Sequence, residues 1–362
     1  MEFFRLIDFV FYIVITLFLS SIIFPTPFSD IGTVRYRTIP WMTFTLIIIN
    51  SLVFIFWQAF DLYQGSQTCD PVTFEGCERI NSYIATIYTY GLRGTYINPG
   101  GSVGAFVSIT SMFMHSDFWH VLGNMIFLWT FGRRVEDACG GGRFLLYYLV
   151  AGMVANIGSI LFEPSHMALP GIGASGAIAG VMGAYLLLFP GARVVAFWGI
   201  GSVFRVPVVI VLRLFGQTSA AIRWVIGGLF GALIGWVAGS VFVSLLALEI
   251  FGGSVLEFLT SNIPLVIAGG VLLGALAFGF ALGQEPEKDA PIWRWTVRIP
   301  AGLFLIFFVA REFVPSINVI QGTQELVGVN NLAHLAGFLA AIAIFFYVRK
   351  DLLTRYFAGR AV

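Results

Sequence analysis

Long apolar stretches separated by short polar connections dominate the pattern of residues along the chain. A helix needs about 20 mainly apolar residues to cross a bilayer, because only internally hydrogen-bonded backbone tolerates lipid. Eight stretches predict such spans, at roughly 41–59, 117–131, 144–162, 175–189, 224–247, 264–283, 299–314 and 331–348. The stretch 6–24 is either a ninth span or a helix in the interface, and the pattern leaves both open.

The Lys and Arg residues indicate the orientation of these spans. If 41–59 runs from the cytoplasm outward and each later span alternates, most of the 20 basic residues lie on the cytoplasmic side. The apolar stretch 203–215 is then interpreted as an interfacial helix. A span there would reverse every later segment and move the basic stretches 285–298 and 349–360 to the exterior.

Composition supports a membrane protein and argues against other classes. Hydrophobic residues make up 58% of the 362 residues and charged residues 11%, whereas soluble domains have about 45–50% and about 25%. A net charge of +1 without a basic stripe argues against nucleic-acid binding. No Cys/His spacing predicts a metal site, and residues 1–24 do not resemble a removable signal.

The three cysteines do not form a disulfide scaffold. Cys69 and Cys77 lie in the long exterior loop 60–107, where a local disulfide and two free thiols are both open. Cys139 is predicted to be a small buried residue on the cytoplasmic side.

Strongly polar residues within the spans are few, and such residues mark functional sites by default. His120 and Asn124 are four residues apart, so they share one helix face, and His115 precedes them at the exterior mouth. Ser175 follows Gly173 and precedes Gly176 at the exterior start of another helix, where free N–H groups and close approach to a substrate backbone are available. His334 lies about one turn into the last span.

The predicted topology puts Ser175, His334, His120 and Asn124 in the same exterior half of the bilayer. A serine nucleophile needs a base, for which His334 is the candidate. His120, Asn124 and the Ser175 N–H could stabilise the oxyanion of acyl transfer. No aspartate lies in the apolar cores, so we expect a Ser–His dyad. Taken singly, the glycines around Ser175 could serve helix packing, and His334 or Asn124 could serve interhelical hydrogen bonding.

At these residues the sequence resembles the rhomboid family of intramembrane serine proteases. The family's His-x4-His-x3-Asn pattern matches His115, His120 and Asn124. Its Gly-x-Ser-Gly and Ala-His-x-x-Gly patterns match Gly173, Ser175 and Gly176, and Ala333, His334 and Gly337. The connector after the Asn helix carries Gly132 and Glu136 at recognisable positions.

The resemblance implies roles for each residue. Ser175 is the nucleophile, His334 the general base, and His120, Asn124 and the Ser175 N–H the oxyanion hole. Gly173 lines the substrate cleft with Gly176 in support, and His115 and Glu136 are structural or water-organising. No metal or cofactor is implied. Some rhomboids place a Tyr four residues after the nucleophile to stack on the base; Ala179 stands there, so His334 must be oriented otherwise.

The implied fold is an all-α polytopic membrane protein of 8–9 spans, a rhomboid-like helix bundle with two extra spans between the serine and histidine helices. The predicted domains are a 1–40 lead-in, a 41–190 first core part, a 191–330 insertion, a 331–348 histidine helix and a 349–362 basic tail.

The implied function is cleavage of transmembrane or membrane-proximal peptide bonds in membrane proteins, with the active site open to the exterior of the plasma (inner) membrane. The implied partners are transmembrane substrates and lipid, and the oligomeric state is left open. The alternative is a catalytically silent relative that binds transmembrane helices. A transporter would show inverted repeats and paired midplane charges, which the sequence lacks.

Overall fold

The structure is a computed structural model that describes residues 25–31, 37–59, 78–97, 103–162, 170–198, 296–320 and 331–358, with short pieces between 221 and 272. The chain divides into two units, Thr26–Ala196 with Arg298–Val362, and Met1–Pro25 with Phe197–Val297. All the helices named below belong to the unit formed by Thr26–Ala196 and Arg298–Val362. The other unit contains a short apolar helix, Trp224–Leu233.

In chain order the elements are β1 (Thr26–Ile31), α1 (Trp41–Val53), α2 (Glu78–Tyr90), α3 (Val103–Thr110), α4 (Phe118–Phe127), α5 (Arg133–Cys139), α6 (Gly141–Phe162), α7 (Ser175–Leu188), β2 (Arg193–Phe197), β3 (Thr296–Pro300), α8 (Ala301–Ile320) and α9 (Asn331–Phe357). π-Helical turns extend α1 over Phe54–Ala59 and α4 over Leu128–Gly132, and short 3-10 turns cover Gly94–Ile97 and Ser111–Phe113.

Several predicted spans coincide with these helices. The described helices that are long and apolar enough to cross a membrane are Trp41–Ala59 and Gly141–Leu161, and α7 and the start of α9 are shorter apolar helices. The stretches 6–24 and 203–215 lie outside the described residues, as do Cys69 and Cys77, and so does most of 224–247 and 264–283. The count of eight to nine spans and the two extra spans therefore remain predictions.

The all-helical expectation is wrong at three short strands. β1, β2 and β3 form one sheet in the order β1-β2-β3. Each strand has only five or six residues and lies next to a predicted span rather than within one. Runs this short carry too little alternation to be separated from a loop by sequence pattern.

The helices present apolar side chains outward and bury polar ones. Phe56, Leu161 and Ile306 are 77%, 72% and 62% exposed, respectively, while Asn50 and Thr43 are fully buried. A soluble protein avoids large contiguous apolar surfaces, whereas lipid favours them. This distribution fits helices surrounded by hydrocarbon.

The centre of the described bundle is α7, which packs against α6 and α9. Every residue from Gly176 to Tyr185 is buried. A helix that is apolar on all faces must be enclosed by neighbours on all sides. The start of this central helix carries Ser175.

Two predictions about the connector after α4 are confirmed. Cys139 is a buried free thiol. Glu136 is structural: its carboxylate accepts from the backbone N–H of Met42 at 2.8 Å, and from Thr43 N and Oγ1, both at 2.7 Å. It satisfies N–H groups that the first turn of α1 cannot bond internally.

Candidate active site

The loop that carries His115 is held by side chains from two other helices. The Gln58 amide donates to the His115 carbonyl at 2.9 Å and accepts from its N–H at 3.0 Å. The Tyr83 hydroxyl donates to the Ser116 carbonyl at 2.5 Å. Burial lowers the pKa of His115 to about 3, with a further contribution from His120, so its ring is neutral. The His115 ring lies beside the His120 ring, with centroids 5.0 Å apart and planes at 75°.

Asp117 starts helix α4 and fixes His120. Its carboxylate accepts from the His120 backbone N–H at 2.9 Å, as an N-cap does. The Ser116 hydroxyl donates to Asp117 at 2.7 Å and lies 3.1 Å from His120 Nδ1. These contacts occupy one edge of the imidazole and leave Nε2 on the other edge.

Asn124 lies one turn after His120 on the same helix. Its side-chain Nδ2 is buried, and no hydrogen-bond partner for it occurs among the described residues. A buried amide donor normally has a partner, and an unpaired one calls for an explanation. A ligand oxygen bound at this position would satisfy it.

The chain turns sharply at Gly173, just before the serine helix. Its φ is +116°, which residues with a Cβ rarely adopt. A Cβ at this position would lie 2.7 Å from His120 Nε2 and 3.7 Å from Ser175 Oγ. His120 and Ser175 therefore border one point in space, and only glycine leaves that point open. The Gly173 N–H is bonded to the Ser111 carbonyl at 2.8 Å, which fixes the turn.

Ser175 is the first residue of α7 and is half-buried, so its hydroxyl is reachable. The first intrahelical backbone bond runs from Ile178 N to Ala174 O. The backbone N–H groups at 175–177 therefore have no acceptor within the helix and lie at its positive end.

Helices α7 and α9 meet along a seam of glycines. A Cβ at Gly337 would overlap the Gly176 carbonyl oxygen, and a Cβ at Gly183 would lie 2.5 Å from the Phe338 carbonyl oxygen. These glycines therefore do allow the close packing of α7 against α9. That packing role is compatible with a separate role for Ser175. A Cβ at Gly176 would lie 3.7 Å from the Ala333 carbonyl oxygen, so the residue before His334 faces the residue after Ser175.

His334 lies in the first turn of α9 and is 7% exposed. Its Nδ1 lies 3.0 Å from Oε2 of Glu312 on α8. The ring of Phe308 lies beside it, with centroids 6.2 Å apart and planes at 35°.

A carboxylate therefore lies beside His334, whereas the sequence predicted a Ser–His dyad because no aspartate lies in the apolar cores. The sequence argument considered only aspartate and passed over Glu312, although it lies within the predicted span 299–314. An acidic residue inside an apolar stretch is the signal that could have found it. Its pairing with His334 depends on the packing of α8 against α9, which no local pattern encodes.

The described residues thus group a reachable hydroxyl, two imidazoles and a buried amide donor at one end of the bundle. These are the groups that acyl transfer to serine requires. The described residues contain no cluster of His, Cys, Asp or Glu suited to a metal ion.

Comparison with known proteins identifies a family model that covers part of the chain. Residues 105–245 match the family model of the rhomboid domain. That range includes His115, His120, Asn124 and Ser175 and ends before His334.

Curated relatives carry related names. The chain is 37% identical over 131 residues to rhomboid protease GluP of Bacillus subtilis, which is 34% of this chain and 25% of that protein. It is 35% identical over 102 residues to the mitochondrial rhomboid protein 1 of Saccharomyces cerevisiae, covering 27% and 28% of the two chains. It is 32% identical over 97 residues to the human mitochondrial presenilin-associated rhomboid-like protein, covering 26% of each. The matches thus span about a quarter of each relative's length.

Proposed function

We propose that the chain is an integral membrane protein of the rhomboid family and an intramembrane serine endopeptidase, because residues 105–245 match the rhomboid domain and one relative is named a rhomboid protease. Ser175 is the nucleophile and His334 the general base. The substrates are transmembrane proteins, cut within or next to the bilayer. The active site opens to the exterior face of the plasma (inner) membrane, as the distribution of basic residues indicates.

The observation that carries the proposal is the approach of three distant segments around Ser175. Gly173 leaves open a point bordered by Ser175 Oγ and His120 Nε2. The glycine seam brings Ala333, and with it the first turn of α9, against Gly176. A structural role alone does not account for a reachable hydroxyl beside a glycine held at positive φ.

The proposed reaction follows from these positions. His334 Nε2 takes the proton of Ser175 Oγ as the oxygen attacks the substrate carbonyl. The oxyanion receives hydrogen bonds from the Ser175 N–H, from His120 through Nε2 and from the unpaired Asn124 Nδ2. Collapse of the tetrahedral intermediate breaks the C–N bond, and His334 returns the proton to the leaving amine. Water then hydrolyses the acyl-enzyme by the same route.

The test is covalent labelling and substrate cleavage with the full chain in lipid. A fluorophosphonate probe should label wild type but not Ser175→Ala, and a single-span membrane substrate should be cleaved only by wild type. Ser51→Ala on α1 is the matched control and should behave as wild type. Equal labelling and cleavage by Ser175→Ala would refute the proposal. A wild type that neither reacts nor cleaves would favour the silent, helix-binding relative.

A further inference from the structure

A buried carboxylate lies against the proposed general base. Glu312 on α8 is fully buried. Its Oε2 lies 3.0 Å from His334 Nδ1 and accepts from Asn331 Nδ2 at 2.5 Å. Both partners come from the first turn of α9, so one carboxylate oxygen holds the start of that helix.

Burial of the Glu312 carboxylate has a desolvation cost, which its contacts must offset. Removing a carboxylate from water costs several kcal/mol unless it is paired and hydrogen-bonded. Here the pairing partner is the imidazole and the further donor is an amide. A group placed at such cost beside a candidate base is a sign of function as well as of packing.

The contact decides which ring nitrogen of His334 carries the proton. An ionised carboxylate only accepts hydrogen bonds, so its contact at Nδ1 calls for the tautomer that carries the proton at Nδ1. In the neutral ring Nε2 then has the lone pair that can take a proton from a hydroxyl. When the ring becomes doubly protonated, the negative charge 3.0 Å away stabilises it.

We propose that Glu312 is the positioning residue of the active site and completes a Ser175–His334–Glu312 triad. The inference rests on the proposed protease function and deepens it. Glu312 stays ionised throughout: one proton moves from Ser175 Oγ to His334 Nε2 and back to the leaving group, while Nδ1–H stays on the ring. This contact supplies the orientation of His334 that Ala179 cannot provide, and Phe308 lies against the ring as a second support.

A purely structural role makes a different prediction. If Glu312 only ties α8 to α9, its replacement should lower stability, and the folded fraction should turn over at the normal rate. If it positions and stabilises the imidazole, the folded variant should lose kcat while substrate binding is kept. The two roles therefore separate in kcat, KM and melting temperature measured together.

The experiment compares Glu312→Gln, Glu312→Asp and Ser316→Ala in the full chain in lipid. Ser316 is the matched control, because its hydroxyl is buried on the same helix and donates to the Glu312 backbone carbonyl at 2.7 Å without contacting His334. We expect Glu312→Gln to lower kcat about 10²-fold at nearly constant KM, which is the lower end of the effect of acid–base groups. Glu312→Asp should recover part of the loss, and Ser316→Ala should keep the wild-type kcat.

A folded Glu312→Gln with the wild-type kcat would overturn the proposal, and so would a loss of equal size in Ser316→Ala. If Glu312→Gln does not fold, nitrogen-15 NMR of the histidines in wild type decides. A downfield Nδ1–H proton on His334 supports the pair, and a neutral ring protonated at Nε2 refutes it. Failure of the protease function itself is distinguishable, because wild type would then show no Ser175 labelling, whatever the NMR result.

Discussion

The seam between α7 and α9 should set both the stability and the rate of the protein, and Gly183→Ala tests this. The new Cβ would lie 2.5 Å from the backbone oxygen of Phe338. Relief to ordinary contact near 3.4 Å requires a displacement of about 0.9 Å. Backbone of a packed helix yields little, so α9 must move as a body and carry His334 with it.

This displacement should lower both the unfolding free energy and the cleavage rate. Overpacking of this kind costs about 1–3 kcal/mol of unfolding free energy. A misplacement of about 1 Å at a catalytic group costs up to about 10²-fold in rate. We therefore expect Gly183→Ala to melt at a lower temperature and to cleave about 10- to 10²-fold more slowly. Gly337→Ala, one turn from His334, should be slower still.

The measurement is kcat on a single-span substrate together with a thermal melt, in the same lipid or detergent. Gly142→Ala is the matched control: it lies in helix α6, and a Cβ there meets nothing within 4 Å. It should keep the wild-type rate and melting temperature or gain slightly in stability. A Gly183→Ala variant with wild-type kcat and melting temperature would refute the reasoning that the seam fixes His334.

Three other outcomes can be checked. Asn124→Ala should slow cleavage about 10²- to 10³-fold by removing an oxyanion donor, and an unchanged rate would exclude that role. Glu136→Gln should lower the unfolding free energy by about 1–3 kcal/mol, since its amide would face the N–H donors of α1; an unaltered thermal melt contradicts this. Burial, with Glu136 nearby, raises the pKa of the Cys139 thiol to about 12. Maleimide should therefore modify it only after denaturation, as mass spectrometry would show.

Much of the helical framework was predictable because apolar length is a local signal. The spans expected at 144–162 and 175–189 correspond closely to α6 and α7. The start of α9 at Asn331 also agrees with the sequence, while its end at Phe357 lies beyond the apolar stretch, since basic residues continue a helix without adding hydropathy. Helix α2 was missed within the loop 60–107, because its polar residues match an exterior loop as well as a helix.

The residues of the candidate site could also be predicted where the signal is local, but their partners from distant segments could not. Ser175, His120 and Asn124 could be named because each stands out within an apolar segment. The supporting contacts could not, since Gln58 binds His115 across 57 residues and Glu312 binds His334 across 22. Such partners become visible only when the helices are packed.

The segment that precedes helix α1 is bound to the helical core through buried charged residues. Asp30 in β1 accepts from Arg134 Nε at 2.8 Å and from the Tyr185 hydroxyl at 3.1 Å. Asp137 accepts from Arg37 N and Thr38 N at 2.9 and 2.8 Å. Deleting residues up to 40 would strand an arginine and an aspartate inside the protein, at a cost of about 3–5 kcal/mol for a broken buried pair. A truncated chain that keeps these buried contacts must therefore retain β1 and the residues that follow it.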